Sequence, residues 1–258
     1  MKAYHLDEPL LMQFKRYVGN ILTGDFGPSF KYKDWTVNEL IWRGFPVSLK
    51  LGLSAIIIAV LIGISLGTMA ALRQNTWIDY AVMGTAMTGI TIPNFVIAPI
   101  LSLIFGVYLK MLPVGGWVDG RMNDMILPVI SLALPQIAYI SRPTRGSMIE
   151  VMRSNFIRTA RAKGLPAHLI VTRHALRAGL LPVVSYLGPA SASIITGSVV
   201  IEKIFQIPGI GSYMINGALN RDYTLVMGVV VFFGIVIILF NLLVDLIYGL
   251  LDPRVRYE

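Results

Sequence analysis

The densest positive charge in the chain lies at residues 158–177, which are therefore the first candidates for a functional surface. They read RTARAKGLPAHLIVTRHALR, with five Arg or Lys, two His and no acidic residue. Three roles suit such a segment: anchoring a loop at anionic lipid, binding nucleic acid, or docking on a partner protein. Nucleic acid is the least suitable, because interleaved aromatic side chains and a recognisable binding motif are lacking.

Few other residues have the type and spacing needed for catalysis or ligand binding. Asp245 is the one acid well inside an apolar stretch, and an intramembrane charge of this kind can relay protons. It lies only about two turns from the end of that stretch, so interfacial water or a basic partner explains it better. The chain has no Cys, three dispersed His and no Gly-Lys pair. We therefore expect no metal site, no P-loop, no cofactor and no enzymatic activity in this chain.

These candidate residues must be positioned by membrane helices. The 258 residues are 55% hydrophobic and 14% charged, whereas soluble domains carry about 25% charged residues. Spanning a bilayer takes roughly 20 apolar residues in a helix, and the apolar stretches lack the alternation of a β-barrel wall. The sequence thus predicts an all-α, polytopic membrane helical bundle. The predicted spans are about 47–72, 80–109, 125–142, 178–201 and 223–251.

The distribution of charge predicts how these spans are oriented. Residues 142–177 hold eight basic residues and one acidic residue, while the other loops are close to neutral. Short loops rich in Lys and Arg stay in the cytoplasm, so this loop and the C-terminus should be cytoplasmic. Residues 1–46 should then form an extracytoplasmic segment, followed by the membrane domain at 47–258.

The basic loop, at 143–177, has an internal pattern of its own. Hydrophobic periodicity predicts a helix over Ser147–Lys163 with Phe156 on its apolar face. Gly164 can end this helix in the left-handed conformation, and Pro166 suits the first turn of a second helix at Ala167–Arg177. A helix–Gly–helix step of this kind could act as a rigid docking element.

Proline and glycine recur inside the predicted spans, as at Pro93 and Pro135. Each proline removes a backbone hydrogen bond and kinks its helix. Such breaks are tolerated in membranes where protein or a water-filled cavity covers them. Ordinary helix packing explains any single one, whereas their number favours a pathway that opens and closes.

Several segments resemble the permeases of ABC importers, in their dipeptide, oligopeptide and nickel branch. RTARAKGLP followed by HALRAGLLP is similar to the cytoplasmic coupling loop of that family, and TRGSMIEVMRSNFIRTARAKGLP is very similar to the B-type subunits of oligopeptide permeases. Other resembling segments are TGDFGPSF (23–30), MTGITIPNFVIAP (87–99), VIEKIFQIPGIG (200–211), NGALNRDY (216–223) and DLIYGLLDPRVRY (245–257).

This resemblance implies the transmembrane domain of a type I ABC importer, with site residues in two loops. Loop 150–177 would couple the permease to a separate ATPase. The loop at 202–222 would form part of an outer gate or a contact for a binding protein, although a simple capping loop also suits its turn residues. The ATPase-coupling residues would be Arg158, Thr159, Ala160, Arg161, Ala162, Lys163, Gly164, Leu165 and Pro166. The outer residues would be Phe205, Pro208, Gly209 and Gly211.

The resemblance also implies partners and a mechanism. A second homologous permease, two ABC ATPase subunits that bind ATP and Mg²⁺, and an extracytoplasmic peptide-binding protein would assemble with this chain. The site of action would be the lipid bilayer of the bacterial inner membrane, and oligopeptides would cross by alternating access. Dipeptides, nickel complexes or sugars are alternative cargoes. An ion-gradient-driven secondary transporter is the alternative mechanism, but inverted repeats and buried ion-binding carboxylates are not evident.

Two departures from the family pattern are visible. The leading Glu of the family's Glu-Ala-Ala motif is absent, and only Ala160, Ala162 and Gly164 match its small residues. Permeases of this branch have six spans, the first of which precedes a segment like YHLDEP, and here Met1 stands only a few residues before that segment. We therefore expect the usual first transmembrane helix to be missing.

Overall fold

The computed structural model of the chain describes residues 9–118 and 121–251. Apart from one β-bridge between Pro28 and Thr36, the regular structure in these ranges is helical. In chain order the helices are α1 (Leu10–Leu22), α2 (Val37–Leu72), α3 (Trp77–Thr91), α4 (Asn94–Leu101, continued as a π-helix over Ser102–Tyr108), α5 (Met122–Met152), α6 (Asn155–Ala162), α7 (Ala167–Leu169, continued as a π-helix over Ile170–Ala175), α8 (Leu176–Gly179), α9 (Leu181–Gly197), α10 (Val199–Ile204), α11 (Ile210–Leu219) and α12 (Tyr223–Leu251).

Within the described ranges, four stretches are long and apolar enough to cross a membrane: α2, α5, α9 with α10, and α12. The predicted second span corresponds to a bent pair, because α3 and α4 meet at an angle of 101°. The break falls at Ile92 and Pro93, where proline cannot donate the next backbone hydrogen bond. If the bent pair also crosses the bilayer, five stretches do so.

Helix α2 is longer than predicted at its N-terminal end. It has 36 residues, or about 54 Å at 1.5 Å per residue, and begins at Val37 inside the segment that we expected to precede the membrane domain. Its start is set by a capping box: the Thr36 hydroxyl accepts from the Glu39 amide, and the Glu39 carboxylate accepts from the Thr36 amide. These bonds satisfy two of the amides left unpaired at a helix start.

Helix α5 also extends further than expected, to Met152 rather than residue 142. Pro143 does not end it, and Thr144 and Met148 beyond this proline are completely buried. The helix therefore continues because its last turns bury apolar surface, and much of the predicted 143–177 loop is helical.

Helices α2 and α5 pack along each other at the centre of the molecule. At Gly67 an added Cβ would lie 2.5 Å from the Ser141 carbonyl oxygen, so only glycine permits this close approach. The central core also contains Leu51, Ile140, Val183 and Phe205. By contrast, α12 leaves large apolar side chains such as Ile238 exposed, which suits a surface that faces lipid.

Candidate functional site

The basic segment after α5 folds into a compact helical elbow, defined here as residues 153–179. The predicted continuous helix over 147–163 is wrong, because the chain breaks at Arg153 and Ser154 between α5 and α6. The Ser154 hydroxyl donates to the Val151 carbonyl at 2.6 Å, and its backbone is extended. Serine favours this conformation before a helix because its side chain competes for backbone hydrogen bonds.

This break changes which side of α6 faces the protein. Ile157 and Ala160 are buried in a cluster with Ala71, Met148 and Ile170. Phe156, which the uninterrupted periodicity placed on the apolar face, is 48% exposed. The extended backbone of Ser154 rotates α6 relative to α5, so Ile157 takes the buried position that was predicted for Phe156.

The end of α6 confirms the predicted role of Gly164 in shaping the elbow. Gly164 has φ +74°, the left-handed conformation that glycine adopts without a Cβ clash. Its amide donates to the Arg161 carbonyl at 2.9 Å, and the Leu165 amide donates to the Ala160 carbonyl at 3.3 Å. These two bonds form a Schellman motif. Pro166 follows as the residue immediately before α7 rather than in its first turn.

The predicted coupling residues are mostly at the surface. Of the nine, Ala160 is buried and Leu165 is half-buried, so these two hold the elbow against the core. The exposed residues are Arg158, Thr159, Arg161, Ala162, Lys163, Gly164 and Pro166. The elbow therefore presents a cationic surface on a well-packed base, a shape suited to docking on an acidic or polar partner.

Two side-chain bridges connect the end of α5, beside the elbow, to the turn between α2 and α3 and to the first turn of α3. The Asp79 carboxylate, which is 1% exposed, accepts two hydrogen bonds of 2.6 Å, one from Nε and one from a terminal nitrogen of Arg145. The Asn75 amide donates to the same carboxylate at 2.9 Å. Arg153, at the end of α5, donates to the Gln74 side chain at 2.9 Å. Sequence reasoning missed this clasp because each charge was counted only as part of a loop.

The outer candidate residues surround the turn between α10 and α11. Phe205 is 1% exposed, and Gly209 and Gly211 are buried, whereas Pro208 is exposed. In this conformation Phe205, Gly209 and Gly211 lie below the surface and determine the shape of the turn. Pro208 is the candidate that is exposed for direct contact with another protein.

A buried carboxylate, Glu202, is the centre of this turn. It accepts hydrogen bonds from the Ser48 hydroxyl at 2.6 Å, the Ser198 hydroxyl at 2.5 Å and the Ser212 amide at 3.1 Å. The Ser48 hydroxyl in turn accepts from the Ile210 amide at 2.9 Å. The network joins α2 and the α9–α10 region to the first turn of α11, where free amides favour a negative charge.

Glycine makes room for this carboxylate. A Cβ at Gly209 would lie 2.3 Å from Glu202 Oε2, and one at Gly211 would lie 3.0 Å from it. The absence of a side chain at the two glycines of PGIG therefore leaves room for the Glu202 carboxylate. Sequence reasoning missed Glu202 because Lys203 cancels its charge; the available signal was a single acid in the apolar run VVIEKIF.

A third buried carboxylate, Asp222, ties the segment before α2 to the start of α12. It accepts hydrogen bonds from the Ser29 hydroxyl and from the Lys31 and Leu225 amides. Burial raises the pKa of Asp222, but these hydrogen bonds outweigh burial and leave it below its usual value.

The structure does not bring the predicted sites together. Ser48 contacts the Glu202 network, while Ala71 packs in the elbow cluster. These residues are 23 positions apart on α2, or about 35 Å, and so lie near opposite faces of a bilayer core about 30 Å thick. Asp245 is exposed on α12. Within the described residues, no group of three or more His, Cys, Asp or Glu could hold a metal ion.

Comparison with known proteins gives a consistent match. Residues 63–257 match the family described as "binding-protein-dependent transport system inner membrane component". The oligopeptide transport system permease protein OppB of Salmonella typhimurium is 57% identical over 254 residues, which cover 98% of this chain and 83% of that protein. The dipeptide transport system permease protein DppB of Bacillus subtilis is 50% identical over 253 residues, covering 98% of this chain and 82% of that protein.

The fold is also found among solved structures. An inward-facing form of the MetNI methionine ABC transporter matches with a TM-score of 0.67 at 17% identity, covering 83% of this chain and 96% of that chain. An amino acid ABC transporter matches with a TM-score of 0.62 at 15% identity, covering 81% of this chain and 93% of that chain. At these identities the likeness supports the type I importer fold, and confirms the predicted fold class.

Proposed function

Since this chain belongs to the family of binding-protein-dependent transport system inner membrane components, we propose that it is the permease subunit that carries oligopeptides through an ABC importer. We infer the cargo from relatives such as the oligopeptide transport permease OppB, to which this chain is 57% identical over the aligned residues. A dipeptide permease is 50% identical, so shorter peptides are the nearest alternative cargo.

The elbow is the observation that carries the coupling part of this proposal. Its exposed cations stand on a base formed by Ile157 and Ala160, and these pack against α2 and α5. A partner that moves the elbow would therefore move the ends of two long helices at once. We assign this partner as the ATPase, which would supply the energy by binding and hydrolysing ATP with Mg²⁺.

Alternating access would then follow from displacement of these helices. The broken pair α3–α4 and the three prolines inside α5 provide places where the membrane domain can re-pack. A second permease would complete the pathway, and an external peptide-binding protein would deliver cargo to the face that contains Pro208. In this orientation the elbow and the C-terminus are cytoplasmic and the membrane is the bacterial inner membrane.

Among the described residues, no buried acidic group favours the gradient-driven alternative. Asp79, Glu202 and Asp222 are buried carboxylates, and each is already held by protein donors. Ion-coupled carriers instead present acidic groups to an ion pathway.

The experiment replaces Gly164 with valine in the assembled transporter. A β-branched residue is strained at φ +74°, so the Schellman motif should distort and the elbow should lose its fit to the ATPase. We expect normal membrane insertion, loss of uptake of a labelled oligopeptide, and loss of the peptide-stimulated part of ATP hydrolysis.

Two control variants make the test specific. Gly164→Asn should keep most of the activity, because asparagine tolerates the left-handed conformation. Gly146→Val alters an exposed glycine of α5 with no neighbour near its Cβ position and should have a much smaller effect. Normal coupled uptake by Gly164→Val would refute the proposed role of the elbow.

A further inference from the structure

An open crevice runs along one side of the elbow, between the last turns of α2 and the helical stretch from α7 to α8. It consists of two adjoining cavities of about 540 Å³ and about 370 Å³, which share Leu72, Val171 and Thr172. The second cavity follows α2 from Ile64 to Arg73, a distance of about 14 Å along the helix. The combined space is a slot that starts at the elbow and runs into the membrane-spanning part of α2.

The charge along this slot is unevenly distributed. Arg161 and His168 line the part at the elbow, and Arg73 lines the part at the end of α2. None of the described residues that line either cavity is acidic. Away from these basic residues the walls are largely apolar and include Leu72 and Ile170. The slot is therefore cationic at one end and apolar along its length.

The position of the slot indicates what can fill it. Its walls include Met69 and Leu72, which are 40% and 47% exposed on a helix long and apolar enough to cross a bilayer. Water is a poor occupant of an apolar slot beside hydrocarbon. A molecule with an anionic head and an apolar chain matches both ends, and basic pockets of this kind bind lipid head groups.

The backbone of the slot supplies an independent observation. Ile170, Val171 and Thr172 line it, and they belong to the π-helical stretch Ile170–Ala175. A π-helix is less favourable than an α-helix and occurs frequently at functional sites. Here the wider turn faces the slot from the elbow side.

We propose that this crevice is a binding site for one anionic phospholipid. The phosphate lies among Arg73, Arg161 and His168, and an acyl chain follows α2 between Leu72 and Val171. Bound lipid would fill the space between α2 and the elbow and so hold the π-helical stretch in place. The site shares Arg161 and Leu165 with the residues proposed for ATPase docking, whereas Arg73 and Val171 lie outside that set. It does not depend on the identity of the cargo.

The test measures lipid retained by the full chain after extraction in a mild detergent, using native mass spectrometry. Phosphatidylglycerol and phosphatidylcholine with identical acyl chains are added in turn, and glycerol phosphate serves as the head group without chains. We expect one tightly retained phosphatidylglycerol, little retained phosphatidylcholine, and no displacement by glycerol phosphate. Arg73→Gln should lower phosphatidylglycerol retention about fivefold, since one basic residue at an anionic lipid contributes about 1 kcal/mol.

Two matched pairs separate this site from general surface charge and hydrophobicity. Arg177→Gln removes an exposed elbow cation that does not line the slot and should leave retention unchanged. Val171→Trp fills the slot and should abolish retention, whereas Val230→Trp, at a 51% exposed position on α12, should not. If Val171→Trp lowers the melting temperature, Thr172→Trp replaces it, because the Thr172 side chain is exposed.

The proposal is overturned by equal retention of the two lipids, by equal loss in Arg73→Gln and Arg177→Gln, or by full retention in the slot-filling variant. Each of these results concerns lipid retention alone and does not bear on peptide uptake or its coupling to ATP hydrolysis. Failure of the lipid site is therefore distinguishable from failure of the permease proposal.

Discussion

Replacing Glu202 with alanine tests whether this buried carboxylate holds the turn between α10 and α11. The change removes the acceptor for two hydroxyls and the Ser212 amide. The Ser198 hydroxyl can turn to the carbonyl four residues earlier, as serine in helices does. The Ser48 hydroxyl also lies within a helix and has the same alternative, whereas the partly buried Ser212 amide loses its acceptor.

The expected cost follows from this amide. A donor left unpaired away from water costs about 1–3 kcal/mol, so we expect a loss of about 2 kcal/mol in the free energy of unfolding. For a chain of this size, this corresponds to a fall of about 4–8 °C in melting temperature. Differential scanning fluorimetry of the purified protein in detergent measures the fall. Glu150→Ala makes the same chemical change at an exposed position and should shift the melting temperature by less than about 2 °C.

Gly209→Ala provides a second arm that leaves Glu202 intact. The new Cβ would stand 2.3 Å from Glu202 Oε2, so the carboxylate or the turn must move, at a cost of about 1–3 kcal/mol. In the Glu202→Ala background the clash is absent, and the cost of the second change should fall below about 1 kcal/mol. The reasoning is refuted if Glu202→Ala melts like Glu150→Ala, or if Gly209→Ala costs the same in both backgrounds.

Two further predictions concern the other buried carboxylates. Asp79→Asn should lower the free energy of unfolding by about 1–3 kcal/mol, because it weakens a bidentate charged pair and leaves Arg145 without its partner. Arg145→Gln in the same chain should recover part of this loss. Equal melting temperatures of Asp79→Asn and the unmodified protein would contradict a stabilising role for the Asp79–Arg145 pair. Because the pKa of Asp222 is lowered in the folded protein, its contribution to stability is complete above the unfolded pKa of about 3.9 and is lost as pH falls through the folded value. Between pH 5 and pH 3 the melting temperature should therefore fall less steeply with pH in Asp222→Asn than in the unmodified protein. Identical slopes in the two proteins would exclude a contribution from this group.

The helices themselves could be predicted because membrane spans have a strong sequence signal. Long uncharged runs must satisfy their backbone internally, and this requirement alone predicts helices along most of the chain. The end of α6 could also be predicted, since Gly164 has a local reason to adopt φ +74°. The capping box at Thr36 and Glu39 was present in the sequence as TVNE, and it would have predicted the early start of α2.

The buried polar contacts could not be predicted, because their partners are distant in sequence. Ser48 and Glu202 are 154 positions apart, and Asp79 and Arg145 are 66 apart. Adding charges loop by loop hid the three charged residues, since a loop of zero net charge can still contain a buried carboxylate, and the uncharged Ser48 gave no signal of its own. The break before α6 was missed for another reason: the periodicity of Ile149 and Phe156 continued across Ser154, and only tertiary packing of Ile157 decides against it.

Helix α2 has a geometric consequence for signalling across the membrane. Ser48, eleven residues after the start of α2, takes part in the Glu202 network, and Ala71, at the other end of the helix, packs on the elbow. If the intervening length of about 35 Å behaves as a stiff rod, a tilt of about 10° around one end displaces the other by about 6 Å. This displacement is perpendicular to the helix axis and exceeds half of the roughly 8–10 Å that separates packed helices. A small angular movement on one side of the bilayer is thus enough to change helix packing on the other side, without any relay of individual side chains between them.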